Sequence, residues 1–259
     1  MDLGIKGRKA IVCASSRGLG KACATALARE GCSVVINGLD PERLERAATE
    51  IREATGAKVT PMRADINTEA GRAALIAACS DADILVNNNA GPPPGRFDDW
   101  KRADWQAAID ADMLAPIFMI QALLPGMRAR KLGRIVNITS AMVKSPHSHM
   151  GLSTSCRTAL TALCKAISRD VAVDNVTINN VLPERIDTDR QKFMAERMMK
   201  AEGITREEAR RRQAEALPTK RLGLPEEFGD ACAYLCSAQA GFISGQNLQL
   251  DGGSYQGLV

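Results

Sequence analysis

The segment 138–160 holds the densest group of side chains able to do chemistry, including both histidines of the chain, His147 and His149. A histidine titrates near neutral pH and can act as a general acid. Lys144, in the same loop, can do so when burial lowers its pKa. The segment therefore predicts a proton-transfer site, and ordinary exposed loop residues are the alternative interpretation.

Ser153 and Arg157 lie four residues apart in the same segment. This spacing places both side chains on one face of a helix, which fits a site and fits a surface helix equally well. Arginine stays protonated and cannot shuttle a proton. Cys156 is a candidate nucleophile, but the sequence places no base beside it.

A strand, a glycine turn and a helix follow one another near the N-terminus. Residues 9–14 form an apolar run typical of a buried parallel strand, and 21–30 predict a helix. A turn of this kind directs backbone N–H groups and a helix N-terminus towards a phosphate. Glycines are also needed at such a turn for steric reasons, so the turn alone is weak evidence for a phosphate site. The strand–helix units that follow it strengthen this interpretation.

The rest of the chain continues the alternation of strands and helices. Further strands are predicted at 33–37, 58–63, 83–86, 133–139, 175–182 and 247–250, and helices at 41–55, 101–130 with a bend near Pro116, 151–172, and 189–216 with a break at Gly203. This pattern predicts a doubly wound α/β sheet of about seven parallel strands flanked by helices, in one domain spanning 1–259.

Composition narrows the functional classes. A net charge of +4, with no basic block, argues against a nucleic-acid partner. No apolar run approaches the roughly 20 residues of a membrane span, so no membrane partner is expected. The eight cysteines form no C-x-x-C pair and fall in apolar patterns, which predicts reduced core residues of a cytoplasmic protein and no metal site, with metal binding as the second interpretation.

Several motifs resemble those of the short-chain dehydrogenase/reductase family. The segment 13–20 (CASSRGLG) resembles its T-G-x-x-x-G-x-G cofactor loop, with Cys13 and Ala14 replacing the first two residues. The segments 87–91 (NNNAG) and 251–253 (DGG) resemble its N-N-A-G and closing D-G-G motifs, and the body of the chain is similar to 3-oxoacyl-carrier-protein reductases. The resemblance implies a Rossmann-type fold, and Ala14 predicts a slightly shifted turn that suits its Cβ.

The resemblance also implies a nicotinamide cofactor. The position of the acidic residue that bonds the ribose of NAD falls on Gly38, and Arg17 is placed to pair with a 2′-phosphate, which favours NADP over NAD. An exposed Arg17 and a ribose contact from Asp40 are the alternatives. The implied cofactor contacts are Ala14, Ser15, Ser16, Arg17, Gly18, Leu19, Gly20, Asn37, Gly38, Asp65, Ile66, Asn89, Ala90, Gly91, Arg157, Pro183, Ile186 and Thr188.

The catalytic residues of the family are Asn, Ser, Tyr and Lys, and the resemblance places them on Asp112, Ser140, Ser153 and Arg157, so that the serine alone is retained. Ser140 is expected to polarise a carbonyl, and Arg157 to hold ribose hydroxyls. A serine is a much poorer acid than a phenol of pKa about 10. His147, His149 or Lys144 is therefore expected to supply the proton, with Ser153 acting through water.

Further expectations concern the last third of the chain. The segment 183–188 resembles a P-G-x-I-x-T motif that contacts nicotinamide, with Glu184 replacing its glycine, and 189–217 corresponds to a helical substrate lid. The family implies a homotetramer or homodimer through the helices 101–130 and 151–172.

Three hypotheses follow in order of preference. The first is an NADP-dependent oxidoreductase acting on a small carbonyl or alcohol substrate, with an altered proton-transfer site. The second is a non-redox enzyme on the same fold, similar in part to halohydrin dehalogenases. The third is a cofactor-binding protein with weak or no catalysis, as the altered catalytic residues also suggest.

Overall fold

The structure is a computed structural model that describes residues 2–258; the predicted domain limits, 1 and 259, lie outside the described residues. The strands are β1 (Lys9–Val12), β2 (Ser33–Gly38), β3 (Val59–Arg63), β4 (Ile84–Asn87), β5 (Gly133–Ile138), β6 (Val176–Pro183) and β7 (Asn247–Leu250). The helices are α1 (Gly18–Arg29), α2 (Pro41–Thr55), α3 (Glu69–Ala77), α4 (Arg102–Ile109), α5 (Ala115–Ala129), α6 (Gly151–Val171), α7 (Asp189–Glu202), α8 (Arg206–Glu215) and α9 (Pro225–Cys236).

All seven strands pair in parallel in the order β3-β2-β1-β4-β5-β6-β7. The predicted fold class, a doubly wound sheet in a single layer between helices, is confirmed. The strand order reverses between β1 and β4, and the crevice at the carboxyl ends of the strands is where such sheets bind ligands.

Two apolar cores lie on the two faces of the sheet. One packs α1, α2 and α9 against it, and the other packs α3, α5 and α6. The inner strands β1, β2, β4, β5 and β6 are largely buried on both faces, whereas the edge strands β3 and β7 are mostly half-buried.

A π-helical turn, Asp110–Leu114, joins α4 to α5, so that one helix runs from Arg102 to Ala129. Contrary to the sequence-based expectation, this helix is long and apolar enough to cross a membrane by length and composition. Core helices of soluble proteins meet the same criterion, and Met119, Leu123 and Met127 are buried against the sheet here. The predicted bend near Pro116 is this π turn, which ends just before it.

Candidate active site

The glycine turn between β1 and α1 leaves backbone N–H groups at the start of the helix unbonded. Arg17 is the extended N-cap residue of α1, and no side chain caps the helix, so its first backbone N–H groups are available to a ligand. Gly18 has φ +57°, and a Cβ placed there would meet nothing closer than the Thr188 side chain at 3.9 Å. An anion at the N-terminus of α1 would meet unbonded N–H groups at the positive end of the helix dipole. The residues present therefore fit a dinucleotide phosphate.

Ala14 lies in the left-handed region, with φ +44°. The prediction that the turn shifts to suit a Cβ is therefore wrong. Asn37 Oδ1 accepts from the Ala14 N–H at 3.2 Å, and Asn88 Nδ2 donates to the Ala14 carbonyl at 3.1 Å. These two contacts hold the peptide on both sides in the conformation that glycine would adopt, and the alanine bears the strain.

Ser15 and Asn37, both predicted cofactor contacts, use their side chains to support the loop. The Ser15 hydroxyl donates to the Val12 carbonyl at 2.6 Å and accepts from the Asn37 N–H at 2.9 Å. The Asn37 amide donates to the carbonyls of Met62 and Ala64. Ser15 is 0% and Asn37 2% exposed, so these side chains shape the cofactor crevice from behind.

The end of β2 bears no carboxylate. A Cβ on Gly38 would lie 3.0 Å from the Ser16 hydroxyl, which covers this strand end. Asp40 caps α2 by accepting from the Arg43 N–H at 3.1 Å, and this bond lowers the pKa of its carboxyl. Arg17 is exposed and makes a 3.4 Å ion pair with Asp189. Because exposed pairs of this kind are worth about 0–1 kcal/mol, Arg17 can leave Asp189 at little cost.

Asp112, Ser153 and Arg157 form one buried cluster. The Ser153 hydroxyl donates to Asp112 Oδ2 at 3.0 Å and accepts from Arg157 Nε at 3.0 Å. Arg157 Nη2 donates to Asp112 Oδ1 at 2.9 Å, which closes a ring of three contacts. The pairing of Ser153 and Arg157 on one helix face therefore belongs to a buried cluster and not to a surface helix.

All five N–H donors of Arg157 have acceptors within the chain. Besides the Nε and Asp112 contacts, Nη1 donates to the carbonyls of Ile138 and Thr139 at 2.6 and 3.3 Å, and Nη2 to that of Asn89 at 3.5 Å. A guanidinium offers five N–H groups, so none remains for a ribose hydroxyl. In the structure these contacts hold Arg157 against Asp112 and Ser153, and the expected ribose-holding role stays a prediction.

The π turn explains how Asp112 reaches this cluster. A π turn inserts one residue into the helical ladder, and here it turns Asp112 inward, with its side chain 0% exposed. Burial raises the pKa of the Asp112 carboxyl, and the charge of Arg157 and the hydrogen bonds from Ser153 and Arg157 oppose this rise. The same burial raises the pKa of the adjacent Cys156 thiol to about 11, which argues against a nucleophilic cysteine.

Ser140 follows β5 and begins a short 3₁₀ turn, Ala141–Val143. Its hydroxyl oxygen accepts from the Met142 N–H at 3.2 Å, which leaves the hydroxyl proton to donate to a ligand. It lies after Ile138 and Thr139, whose carbonyls bind Arg157, and so stands beside the buried cluster.

The proton donors predicted in the following loop lie apart from the cluster. The rings of His147 and His149 are exposed and stack against each other, with centroids 5.6 Å apart. Lys144 lies over the Tyr255 ring, with Nζ 5.0 Å from its centroid. Within residues 2–258 no hydrogen bond joins these three side chains to Asp112, Ser153 or Arg157, so their role as proton donors stays a prediction.

The remaining predicted cofactor contacts lie in segments that border the carboxyl end of the sheet. A Cβ on Gly91 would lie 3.3 Å from Arg157 Nη2 and 3.4 Å from Ser153 Oγ, so the 89–91 backbone lies against the buried cluster. The side chain of Asn89 donates to the Ala111 carbonyl at 3.0 Å. Asp65 accepts from the Asn67 N–H at 3.0 Å. Leu19, Gly20, Ile66, Ala90, Pro183 and Ile186 also belong to the segments that border this end of the sheet.

Glu184 lies next to this crevice but is paired. Its Oε1 accepts from the neighbouring Arg185 at 3.3 Å, and the Glu184 side chain is 19% exposed. The carboxylate of Glu184, at the position where the family has a glycine, is therefore paired with the guanidinium of Arg185.

Arg190 is a residue that the sequence analysis missed. It lies in the first turn of α7, is half-buried, and its Nη2 donates to the Pro92 carbonyl at 3.3 Å. Burial lowers the pKa of its guanidinium, and the charges of Arg157 and Asp112 act on that pKa in opposite directions. An arginine at the positive end of a helix dipole is unfavourable, and this was the available signal in the sequence.

The eight cysteines are all buried and unpaired, as predicted for core residues. Among the described residues, no group of three His, Cys, Asp or Glu side chains is arranged to hold a metal.

Comparison with known proteins identifies the family. The family model described as enoyl-(acyl carrier protein) reductase matches residues 13–255. The NADPH-dependent reductase BacG of Bacillus subtilis (strain 168) is 32% identical over 97% of this chain and 99% of its own length. The chain belongs to the short-chain dehydrogenase/reductase family.

Two further relatives agree with this assignment. The 3-oxoacyl-[acyl-carrier-protein] reductase FabG of Aquifex aeolicus (strain VF5) is 27% identical over 98% of this chain and all of its own. The solved structure of L-sorbose reductase from Gluconobacter frateurii, complexed with NADPH and L-sorbose, superimposes with a TM-score of 0.94 at 29% identity over the full length of both chains. The predicted family resemblance, and with it the predicted oxidoreductase class, is confirmed.

Proposed function

We propose that this protein is an NADP-dependent oxidoreductase that interconverts a small carbonyl compound and its alcohol through an altered proton-transfer site. The observation that carries the proposal is that the uncapped N-terminus of α1, Ser140 and the Asp112–Ser153 pair all lie at the carboxyl edge of one parallel sheet. That edge is where a dinucleotide and its substrate meet in folds of this kind.

When bound, NADPH would supply the hydride for carbonyl reduction, and NADP⁺ would accept it in the reverse oxidation. The uncapped N-terminus of α1 would hold the cofactor's diphosphate, and Arg17 would pair with the 2′-phosphate once it leaves Asp189. The absence of a carboxylate on Gly38 removes the repulsion that a 2′-phosphate would otherwise meet. Relatives described as NADPH-dependent support this choice of cofactor.

The chain's own residues handle the substrate oxygen. Ser140 donates its free hydroxyl proton to that oxygen and polarises the carbonyl. The proton for that oxygen comes from solvent through a water bound at Ser153, whose hydroxyl is oriented by its 3.0 Å bond to the Asp112 carboxylate. Arg157 fixes the geometry of both through its saturated hydrogen bonds.

The test is NADPH consumption across a panel of ketones and aldehydes, with Ser140→Ala as the variant. We expect kcat to fall about 100-fold, as when one oxyanion donor is removed. Ser145→Ala, an exposed serine of the same loop, is the matched control and should leave kcat unchanged. Equal rates for the wild type and Ser140→Ala would contradict the assignment.

A second candidate, a cofactor-binding protein with weak catalysis, is favoured by the fact that the Ser153 hydroxyl is held between Asp112 and Arg157. The two candidates differ in a triple variant, Asp112→Asn/Ser153→Tyr/Arg157→Lys, which installs the family's catalytic residues together. Asp112→Asn alone would leave the buried Arg157 charge without its carboxylate, at a cost of about 3–5 kcal/mol. A large gain in turnover by the triple variant favours the second candidate, and a loss favours the first.

We also propose that copies of the chain associate through the outer faces of α5 and α6. Phe118 on α5 and Leu163 on α6 are 41% and 38% exposed, respectively, and apolar surface of this kind marks interfaces. A cytoplasmic location also stays a proposal, supported by the eight unpaired cysteines.

A further inference from the structure

The lid helix α7 carries a half-buried charge without a counter-ion. Within residues 2–258, Arg190 makes no ion pair, whereas Arg185, Arg206 and Arg210 nearby are each paired with a carboxylate. Burial of a charge is costly unless it is paired and hydrogen-bonded. The desolvation cost of the Arg190 charge is therefore not offset by an ion pair among the described residues.

The helix makes the arrangement less favourable still. Arg190 lies one residue after Asp189, the first residue of α7, where the macrodipole repels a cation. Its described polar contact is the bond to the Pro92 carbonyl, and its guanidinium carbon lies 5.9 Å from the Phe193 ring centroid. Four of its five N–H donors remain for a ligand.

The Pro92 contact fixes Arg190 above the buried cluster. Pro92 directly follows Gly91, whose Cβ position lies 3.3–3.7 Å from Arg157, Ser153 and Asp112. Asp112 and Arg157 neutralise each other, so Arg190 gives this part of the crevice a net positive charge. The charge interacts electrostatically with Arg157 and Asp112, which places it near the buried cluster that contains Ser153.

We propose that Arg190 is a specificity-determining residue that pairs with a carboxylate of the substrate, so that the protein acts on oxo acids or hydroxy acids. The inference rests on the proposed function, since it names the substrate class of the same site. A planar carboxylate matches the two-pronged donor geometry of a guanidinium. Binding would supply the counter-ion that the fold lacks and would hold the lid over the reacting carbonyl.

The experiment compares acids with their neutral counterparts. Pyruvate, acetoacetate and levulinate, each with its methyl ester, are assayed with NADPH on the wild type, Arg190→Gln and Arg197→Gln. Arg197 lies on the same helix and contacts the same Phe193 ring at 6.0 Å but is exposed, which makes it the matched control.

We expect the wild type to prefer at least one acid over its ester in kcat/KM. Arg190→Gln should lose about tenfold or more on that acid, chiefly through KM, since a charge-assisted pair is removed. The esters and the Arg197→Gln variant should be unaffected. Equal losses on acids and esters would mean that Arg190 only latches the lid to Pro92, and would overturn the inference.

A binding measurement separates this inference from the proposed function. Succinate, which has no reducible carbonyl, is titrated calorimetrically into the protein with and without NADP, against dimethyl succinate. Binding of succinate that Arg190→Gln abolishes supports the inference even if no substrate is turned over. Turnover of neutral ketones without any acid preference or succinate binding supports the proposed function and overturns the inference.

Discussion

Arg157 retains a positive charge at a position where the family places a lysine, and its contacts in the structure hold it against Asp112 and Ser153. Its five donors are all satisfied by Asp112, Ser153 and three carbonyls. The sequence could predict that Ser153 and Arg157 share a helix face, and the family resemblance pointed to Asp112. Their direct contact depends on how the π turn packs against α6, which is a non-local property that spacing alone does not encode.

Arg190, unlike Arg157, was not predicted from the sequence. Its importance rests on the absence of a nearby carboxylate and on the position of the Pro92 carbonyl. Both are set by tertiary packing of α7 against a loop almost a hundred residues earlier in the chain, and the sequence alone does not distinguish Arg190 from the other arginines.

The strain at Ala14 leads to a prediction about stability. With φ +44°, Ala14→Gly should relieve a left-handed conformation and stabilise the fold by about 1 kcal/mol. Urea denaturation followed by circular dichroism measures the free energy of unfolding. Ala22→Gly, the same change inside α1, is the control and should destabilise by about 1 kcal/mol. Parallel losses in both variants would show that the turn is not strained.

The secondary structure was predicted well where hydrophobic periodicity is strong. Strands β1 to β7 and α2 lie within one or two residues of their predicted limits, and Gly203, with φ +68°, ends α7 as predicted. Helix α3, Glu69–Ala77, was missed because it buries only Leu75 fully and so shows a weak apolar stripe. The π turn was also missed, since no residue type encodes it.

Helix α9 begins with a contact that makes stability depend on pH. Glu227 accepts from the Leu224 N–H at 2.8 Å and pairs with Arg221, and these contacts lower the pKa of its carboxyl from 4.5 to about 2. A lowered folded-state pKa stabilises the fold above the unfolded value. This stabilisation is therefore present above pH 4.5 and is lost as the pH falls towards 2.

Glu227→Gln should consequently lower the melting temperature by about 2 °C at neutral pH, and the difference from the wild type should vanish near pH 2. Melting curves recorded across this pH range by circular dichroism make the comparison. Glu226→Gln changes the same charge in the same turn without removing the bond to Leu224, and is the matched control. A constant gap for Glu227→Gln would rule out the linkage.

At the scale of the whole molecule, the long helix Arg102–Ala129 combines an apolar composition with a face that is incompletely covered, since 39% of its most apolar window is buried. The opposite face packs Met119 and Met127 against the sheet, so the helix is anchored in the core. Phe118 is partly shielded by Arg72, whose guanidinium carbon lies 4.9 Å from the ring centroid. This partly exposed apolar face is where the proposed association of two copies would occur.

Leu163→Glu should therefore dissociate the oligomer, because it places a charge in an apolar contact from which water is excluded, at a cost of several kcal/mol. Sedimentation velocity of the wild type should give a dimer or tetramer, and the variant should give a species of half that mass or less. Leu39→Glu introduces the same charge at a residue that is 60% exposed and follows β2, remote from α5 and α6, and should leave the mass unchanged. If the wild type sediments as a monomer, or if Leu163→Glu keeps its mass, the outer face of α6 is not the contact.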